Sequence, residues 1–298
     1  MSMRISSSQI TDSSLFQIQQ TYSRFASAQA EVNTGKKIQK PSDDPSGTSQ
    51  VLDFQEQMAE ISQYSRNINN AKNFLATTET ALSSVVSLTH QARSIAVQAA
   101  NGTNSASAQS ALAGQLNDII SQIASIGNTT YGSQYVFSGQ RTNTAPLQSG
   151  PSGYTYNGGT TATGDGDIHV DIARSQSVKI NVTGDQVFVP LLTTLSKVSN
   201  DIAGGSLSNV SSDLANIDTQ LNTAQAAQAD TGSKVTLLQQ TLNNDTSTTN
   251  SLTAFVSNLQ DADIPTAVVS LQTAQTAYNA ALAATSRSFQ NSLLDFIK

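Results

Sequence analysis

The sequence predicts a mainly α fold with a β insert, in which long antiparallel helical rods form a coiled-coil-like bundle carrying a small β-rich domain. Three observations carry this reading. Apolar residues recur at alternating spacings of three and four near both chain ends and along two long interior stretches, the pattern of helices with one narrow apolar stripe. The middle of the chain is instead rich in Gly and Thr and holds short β-type runs. Charged residues make up only 12% of the 298 residues and aromatics 5%, with no Trp. Ser, Thr, Asn and Gln take their place, so large core-filling side chains are scarce and slender bundles with small residues at the contacts fit best.

The first stripe reads Leu15, Ile18, Tyr22, Phe25, Gln29, Val32. Asn33-Thr34-Gly35 stops that helix, with Gly35 suited to the left-handed position beyond a helix end. After an irregular link through Lys40-Pro41-Ser42, Asp44 can cap a new helix and Pro45 fits its first turn, where a missing N–H costs nothing. The next seam runs Phe54, Ile61, Tyr64, Ile68, Ala71, Leu75, Thr78, Leu82, Val85, Thr89, Ala92, Ala96, Ala99 and ends at Asn101-Gly102. At about 1.5 Å per residue this is a rod roughly 80 Å long. A shorter helix follows, with Leu112, Leu116, Ile119, Ile123 and Ile126 on one face.

From Tyr131 to about Val189 the β-type runs are Tyr135–Phe137, Tyr154–Tyr156, Ile168–Ile172 and Val178–Val182, with Asn157-Gly158 and Thr183-Gly184-Asp185 offering turns. They are expected to form one small antiparallel module. Helix is expected again near Pro190, and from Leu214 to Leu259 a heptad seam spans about 70 Å on the same rise. Two rods of similar length on either side of one insert imply an antiparallel hairpin with the β module at its far tip. Gln228, Asp245 and Thr249 weaken the second seam but can fix its register. Asp261–Pro265 breaks the phase, and the last stripe reads Ile264, Val268, Leu271, Gln275, Tyr278, Leu282, Thr285, Phe289, with Leu293 and Phe296 beyond. The expected organisation is therefore an N-terminal assembly helix (1–42), a first rod with a short return helix (43–130), a β-rich outer module (131–189), a second rod (190–260) and a C-terminal assembly helix (261–298).

Charge and motif content exclude most chemistry. A net charge of −6 and a pI near 4.8, with no basic cluster longer than Lys36-Lys37, argue against nucleic-acid and anionic-membrane partners. Without Cys there are neither disulfides nor thiolate metal sites. No apolar run reaches membrane-spanning length, and the N-terminus lacks the apolar core of a secretory signal. His90 lies on the first rod without a metal-binding partner at helical spacing. His169, beside Asp167 and Asp171, reads as a solvated strand face. Gly164-Asp165-Gly166-Asp167 resembles the start of a calcium loop, but counted from Asp165, position 12 is Gln176 rather than a bidentate Glu, so a hairpin turn is preferred. Neither GxSxG nor GxxxxGK[ST] occurs. No catalytic, metal-binding or cofactor-binding residues are expected, no cofactor is called for, and the chain does not read as an enzyme.

What remains is assembly. A stripe at each chain end needs a partner, either the other stripe or a neighbouring subunit, and low charge keeps like subunits from repelling one another. The candidate interface is Leu15, Ile18, Tyr22, Phe25, Val32, Val268, Leu271, Tyr278, Leu282, Phe289, Leu293 and Phe296. Gly35, Pro41, Asp43, Asp44 and Pro45 form an elbow that can hinge the terminal helix or set the packing of neighbours. A terminal helix of about 20 residues with half its seam polar is marginal alone, so monomers are expected to be protease-sensitive before Ser42 and after Pro265.

The opening Met3-Arg4-Ile5-Ser6, the stretch from Thr34-Gly35-Lys36-Lys37-Ile38 through Lys40-Pro41-Ser42-Asp43-Asp44-Pro45, and the ending Ser292–Ile297 resemble the flagellin superfamily. Tyr135–Gly139, Ser257–Asp263 and Gln275–Ala284 extend the likeness over both termini, both rods and the start of the insert. The Pro-Ser-Asp-Asp-Pro elbow departs from the Ser/Ala-Lys-Asp-Asp-Ala type usual in flagellin and favours the hook–filament junction branch. That resemblance implies a secreted, extracellular structural subunit of the bacterial flagellum, exported unfolded by the type III apparatus. It further implies self-assembly into a ring, contact with an adjacent hook-associated junction protein and with flagellin, a chaperone guarding the C-terminal helices, and a β module facing outward. A flagellin filament subunit is the near alternative. A secreted adhesin or secretion-tip protein, binding a receptor through the β module, is the alternative of another class.

Overall fold

The computed structural model describes residues 7–101, 104–150 and 153–296, with side chains at the two ends described at Gln9 and from Asp12 to Arg287. The Met3–Ser6 opening, Gly102, Ile297 and the side chains of Phe289, Leu293 and Phe296 lie outside the described residues. The elements in order are α1 (Ser7–Thr34), α2 (Pro45–Ala100), α3 (Ala106–Gly127), β1 (Thr130–Tyr131), β2 (Gln134–Tyr135), β3 (Leu147–Gly150), β4 (Gly153–Tyr156), β5 (His169–Ala173), β6 (Gln176–Lys179), α4 (Gly184–Ala203), α5 (Leu207–Gln260) and α6 (Ile264–Phe296). The chain divides into two compact units, one of residues 1–59 with 248–298 and one of residues 60–247.

In the unit of residues 60–247, the α2 seam from Ile68 to Ala99 turns inward at every expected position and is buried throughout. Its polar members do not break the apolar surface. Thr78 and Thr89 donate their hydroxyls to the carbonyls of Phe74 (3.0 Å) and Val85 (2.7 Å), one turn back in the same helix. Thr231 of α5 does the same to Ala227 (2.8 Å). A buried hydroxyl satisfied within its own helix leaves only its methyl group to pack. α5 runs antiparallel to α2, with Arg93 on Asp218 (2.5 Å) and Lys72 on Gln239 fixing the register.

α3 and α4 lie between these ends as a second antiparallel pair. Ser199 of α4 donates to Asn117 Oδ1 (2.8 Å) and to the Ala113 carbonyl (3.3 Å), while Gly127 at the end of α3 lies against Phe188 near the start of α4. Leu116, Ile123, Leu191, Leu195, Val198 and Ile202 are fully buried with the α2 and α5 seams in one core. Lys197 ties α4 to the buried Asp213 of α5 at 2.8 Å.

The insert differs from expectation in composition and in place. Its strands form three separate two-stranded antiparallel hairpins, β1–β2, β3–β4 and β5–β6. Val136 and Phe137, expected in a strand, form a fully buried turn, with Phe137 set edge-on to Phe188 at 4.7 Å. The strand expected over Val178–Val182 is shifted, with β6 ending at Lys179. Gly164 ends a 3₁₀ turn at Thr161–Thr163 rather than turning a hairpin, and Asp165 accepts from Thr160 N (3.1 Å) and Arg141 Nε (2.6 Å).

The hairpins are also not at the far tip of the rods. Asn67 of α2 donates to the Asp171 carbonyl (3.1 Å), Arg174 pairs with Glu60, and Tyr131 meets Phe74 edge-on at 6.2 Å. The β elements therefore flank residues 60–74 of α2, while the end near Ala100 is closed by the α3 start and the α4 end, where a Cβ added at Gly205 would lie 3.8 Å from Gln109 Oε1. α3 carries the chain back down the rod before the insert begins. Helix also resumes earlier than Pro190: Thr183-Gly184-Asp185 opens α4 instead of turning strands, and Pro190 sits inside it. Gly204 and Gly205, the latter at φ +71°, then separate α4 from α5.

Candidate assembly interface

In the unit holding both chain ends, α1 and α6 lie side by side and antiparallel. Phe25 stacks on Tyr278 with ring centroids 6.1 Å apart and planes 8° from parallel, and Tyr22 approaches the same ring at 5.6 Å. Ala28 and Ala267 are buried at the contact, where small side chains let the backbones approach. Ile18, Phe25, Val32, Leu271 and Tyr278 are half-buried, so the two terminal stripes partner one another within the chain.

Each stripe is wider than the contact. Leu15 is 54% exposed, Tyr22 55%, Val268 45% and Leu282 41%. Seen down α1 from its N-terminus, positions advance clockwise at about 100° per residue, and on the antiparallel α6 seen from that same end they advance counter-clockwise. Leu15 and Tyr22 lead the Phe25–Ala28–Val32 contact line of α1 in the first sense. Val268 and Leu282 lead the Ala267–Ala274–Tyr278 line of α6 in the second, so all of these fall on one face of the hairpin. Gln19, Ala26, Gln29 and Gln275 complete that face, which is uncharged from Leu15 to Val32 of α1 and from Ile264 to Ser286 of α6, with Asp12 one heptad before Gln19 at its end. The opposite face is an open groove of about 600 Å³ with a floor of small residues, Ala277, Ala280, Ala281 and Ala284, walled by Gln17 and Thr21.

The elbow is a clasp. Gly35 takes φ +68° as α1 ends, and its N–H donates to Glu31 O at 2.9 Å. The chain then pairs with the end of α5: Lys37 N–H donates to Gln260 O (2.8 Å), and Ala262 N–H donates to Gly35 O (2.8 Å), with Lys36 opposite Asp261. Gln260 Nε2 donates to Ile38 O (3.3 Å), and Ile38 is buried. Asp43 Oδ2 accepts the N–H groups of Lys40 (2.9 Å) and Gln39 (3.1 Å), which hold its carboxyl below the ordinary carboxylate range. Asp44 Oδ1 caps α2 by accepting Gly47 N–H at 2.9 Å, with Pro45 in the first turn and Pro41 exposed in the preceding link.

Sequence reasoning treated the two elbows separately and did not pair them. The backbone bonds that join them span more than 200 positions and leave no local mark. It also passed over Phe16 and Val269, exposed at 68% and 64%, because both fall outside the heptad. Ile38 carried a readable signal, an apolar residue alone in a polar link. Among the described residues no group of His, Asp and Glu could hold a metal, and Asp167 beside His169 is engaged by Lys179 at 2.6 Å. No described helix is long and apolar enough to cross a membrane.

Comparison with known proteins places these elements in a family. Residues 5–142 match the bacterial flagellin N-terminal helical region and residues 214–297 the bacterial flagellin C-terminal helical region. Flagellar hook-associated protein 3 of Salmonella typhimurium is 28% identical over 187 residues, covering 62% of this chain and 57% of that protein. Its Escherichia coli counterpart is 32% identical over 159 residues, covering 53% and 48%. The chain thus spans about half the length of the curated relatives it matches. Among solved structures, a putative flagellar hook-associated protein from Vibrio parahaemolyticus superposes with a TM-score of 0.66 at 21% identity, over 74% of this chain and all of that one. The flagellar junction protein from Legionella pneumophila gives 0.61 at 17%, over 71% and 100%; at these identities the likeness is one of fold. With the family's N-terminal helical region at one end and its C-terminal helical region at the other, the chain belongs to the flagellin superfamily of bacterial flagellar proteins.

Proposed function

We propose that this protein is a structural subunit of the hook–filament junction of the bacterial flagellum, and that the α1–α6 hairpin is its assembly surface. The observation that carries the reading is the uncharged face of that hairpin, where Leu15, Tyr22, Val268 and Leu282 remain exposed after α1 and α6 have partnered each other. An exposed apolar face of this extent on a folded element marks an interaction surface. The names of the curated relatives favour the junction over the filament itself. In this role the chain leaves the cell through the flagellar export apparatus, with an export chaperone covering its C-terminal helix. It then closes into a ring with copies of itself outside the cell, meeting an adjacent hook-associated protein on one side and flagellin on the other. Its work is mechanical and no reaction is assigned to it.

The test is genetic and separates junction from filament. Cells lacking the gene should export flagellin into the medium yet retain no filament, and the intact gene should restore filaments. Loss of flagellin itself from both medium and cell surface would identify the chain as the filament subunit, and unaltered filaments would refute both roles.

A further inference from the structure

The unit of residues 60–247 holds a cavity of about 290 Å³ between the β3–β4 hairpin and α4 that assembly through the terminal helices does not use. Thr193, Ser196, Lys197, Asn200 and Asp201 fall at i, i+3, i+4, i+7 and i+8 along α4, so they form one polar wall. The buried Leu192 supplies an apolar floor, and Tyr154 of β4 forms the facing wall.

Much of the hydrogen-bonding capacity around this cavity is unspent. Thr193 and Thr194 return their hydroxyls to the carbonyls of Val189 and Pro190 at 2.8 Å, one turn back in the helix. The Ser196 hydroxyl, the Asn200 side-chain amide and the Tyr154 hydroxyl have no hydrogen-bond partner among the described residues. Asp201 Oδ1 accepts Asn209 Nδ2 at 3.4 Å, whereas its Oδ2 is buried with no partner, an acceptor that is costly to leave unpaired.

We propose that this cavity binds a neutral sugar ring. Its volume is at the low end for small-ligand sites and admits a single ring rather than a longer chain. Charge selects against ions, because the Lys197 ammonium and the Asp201 carboxylate line the same space: a cationic ligand meets the first and an anionic ligand the second. A sugar is neutral and carries several hydroxyls. They donate to Asp201 and the Asn200 carbonyl oxygen and accept from Ser196, the Asn200 amide N–H and Tyr154. Its apolar C–H face then packs on the Tyr154 ring.

The site lies apart from the terminal hairpin, so it stands or falls independently of the assembly role. Saturation-transfer-difference NMR on the full-length monomer tests it. The probes are the methyl glycosides of glucose, galactose, mannose and N-acetylglucosamine, with methylammonium and acetate as charged controls. At least one glycoside should receive saturation on its ring protons, with a dissociation constant on the order of 1 mM, the scale for a ligand of about a dozen heavy atoms. Asn200→Ala, at an exposed position, should weaken that binding about 2- to 10-fold, the worth of one hydrogen bond. Tyr154→Phe should keep the ring platform and most of the affinity. Ser196→Trp fills the cavity and should abolish transfer to every probe while incorporation into flagella is unchanged. Transfer to no glycoside, transfer to methylammonium or acetate alone, or transfer undiminished in both Asn200→Ala and Ser196→Trp overturns the proposal and leaves the assembly role untouched. If Ser196→Trp fails to fold, Asn200→Ala alone decides, and full affinity in that variant overturns the site.

Discussion

Replacing Tyr278 with Ala should loosen the α1–α6 hairpin and leave the unit of residues 60–247 as stable as before. The ring of Tyr278 serves two partners, Phe25 in a near-parallel stack at 6.1 Å and Tyr22 in a tilted contact at 5.6 Å. Aromatic pairs contribute about 0.5–1.5 kcal/mol each beyond their area burial, so the substitution removes about 1–3 kcal/mol from the local stability of the hairpin. At 1.4 kcal/mol per tenfold, that raises the local opening equilibrium about 5- to 150-fold. Amide hydrogen exchange on the monomer measures it directly: amides of α1 and α6 should lose protection together by this factor, because each helix is the other's cover. Amides of Leu82, Leu116 and Leu195, buried in the other unit, should keep theirs. Tyr278→Phe retains the ring and should recover nearly all of the protection. Unchanged exchange in α1 after Tyr278→Ala, or an equal loss in both units, would refute the argument that the terminal stripes partner each other as a locally opening element.

Helical glycines divide by what surrounds them. An added Cβ at Gly114 or Gly232 meets nothing within 4 Å, so alanine there should raise stability by about 0.5–1 kcal/mol each through helix propensity, read as a shift in denaturant midpoint. At Gly127 the same Cβ falls against Leu147 Cδ1 and 3.0 Å from Phe188 Cδ1, so Gly127→Ala should cost about 1–3 kcal/mol by overpacking. Asp245 has a carboxylate oxygen buried without a hydrogen-bond partner, and desolvation pushes its carboxyl above the ordinary value. A raised acid pKa means that the folded state loses stability as pH rises through it, so Asp245→Asn should raise the melting temperature at pH 7 and not at pH 3. The Lys179 ammonium on Asp167 holds that carboxyl below its ordinary value of 3.8, so its contribution is present above that pH and is lost on further acidification. Protection of β5–β6 should therefore fade below about pH 3.8, and Lys179→Met should remove that dependence.

The rods were legible because a heptad is a local statement of a global fact. Every seam position from Ile68 to Ala99 is buried, and even Thr78 and Thr89 obey the pattern, since a helix can satisfy a threonine hydroxyl internally. The insert resisted reading for the opposite reason. Its strands are two to five residues long, and their positions are set by distant groups: Tyr156 hydroxyl against the carbonyls of Phe137 and Gly159, Asn181 bridging Ile168 N–H and Gly166 O, Asn67 reaching over from α2. Nothing in a run such as Tyr135–Phe137 tells a strand from a buried turn. The placement of the insert failed on one unweighed element, because α3, correctly read as a helix, brings the chain back along α2 before the first strand begins.

The terminal stripes illustrate how a correct pattern can still understate a site. A heptad stripe names the residues that want cover but not which cover reaches them. Ala28 and Ala267 draw α1 and α6 together along one edge of each stripe, so Phe25 and Tyr278 are covered within the chain while Leu15 and Leu282, one step around the helix, are not. That division follows from geometry: a helix pair shields a strip narrower than the apolar sector on either helix. The remainder falls on a single face because antiparallel helices reverse the sense in which positions advance. Had the two helices run parallel, the same sequences would have turned Leu15 and Leu282 to opposite sides and left no continuous face. The antiparallel clasp between Gly35–Lys37 and Gln260–Ala262 fixes that direction at the base of the hairpin. The exposed apolar face is thus a consequence of the elbow as much as of the stripes, and Lys37→Pro, which deletes the N–H that donates to Gln260, should impair assembly although Lys37 is outside both stripes. Assembly at parental yield in that variant, measured by incorporation into isolated flagella, would mean that the stripes alone set the face.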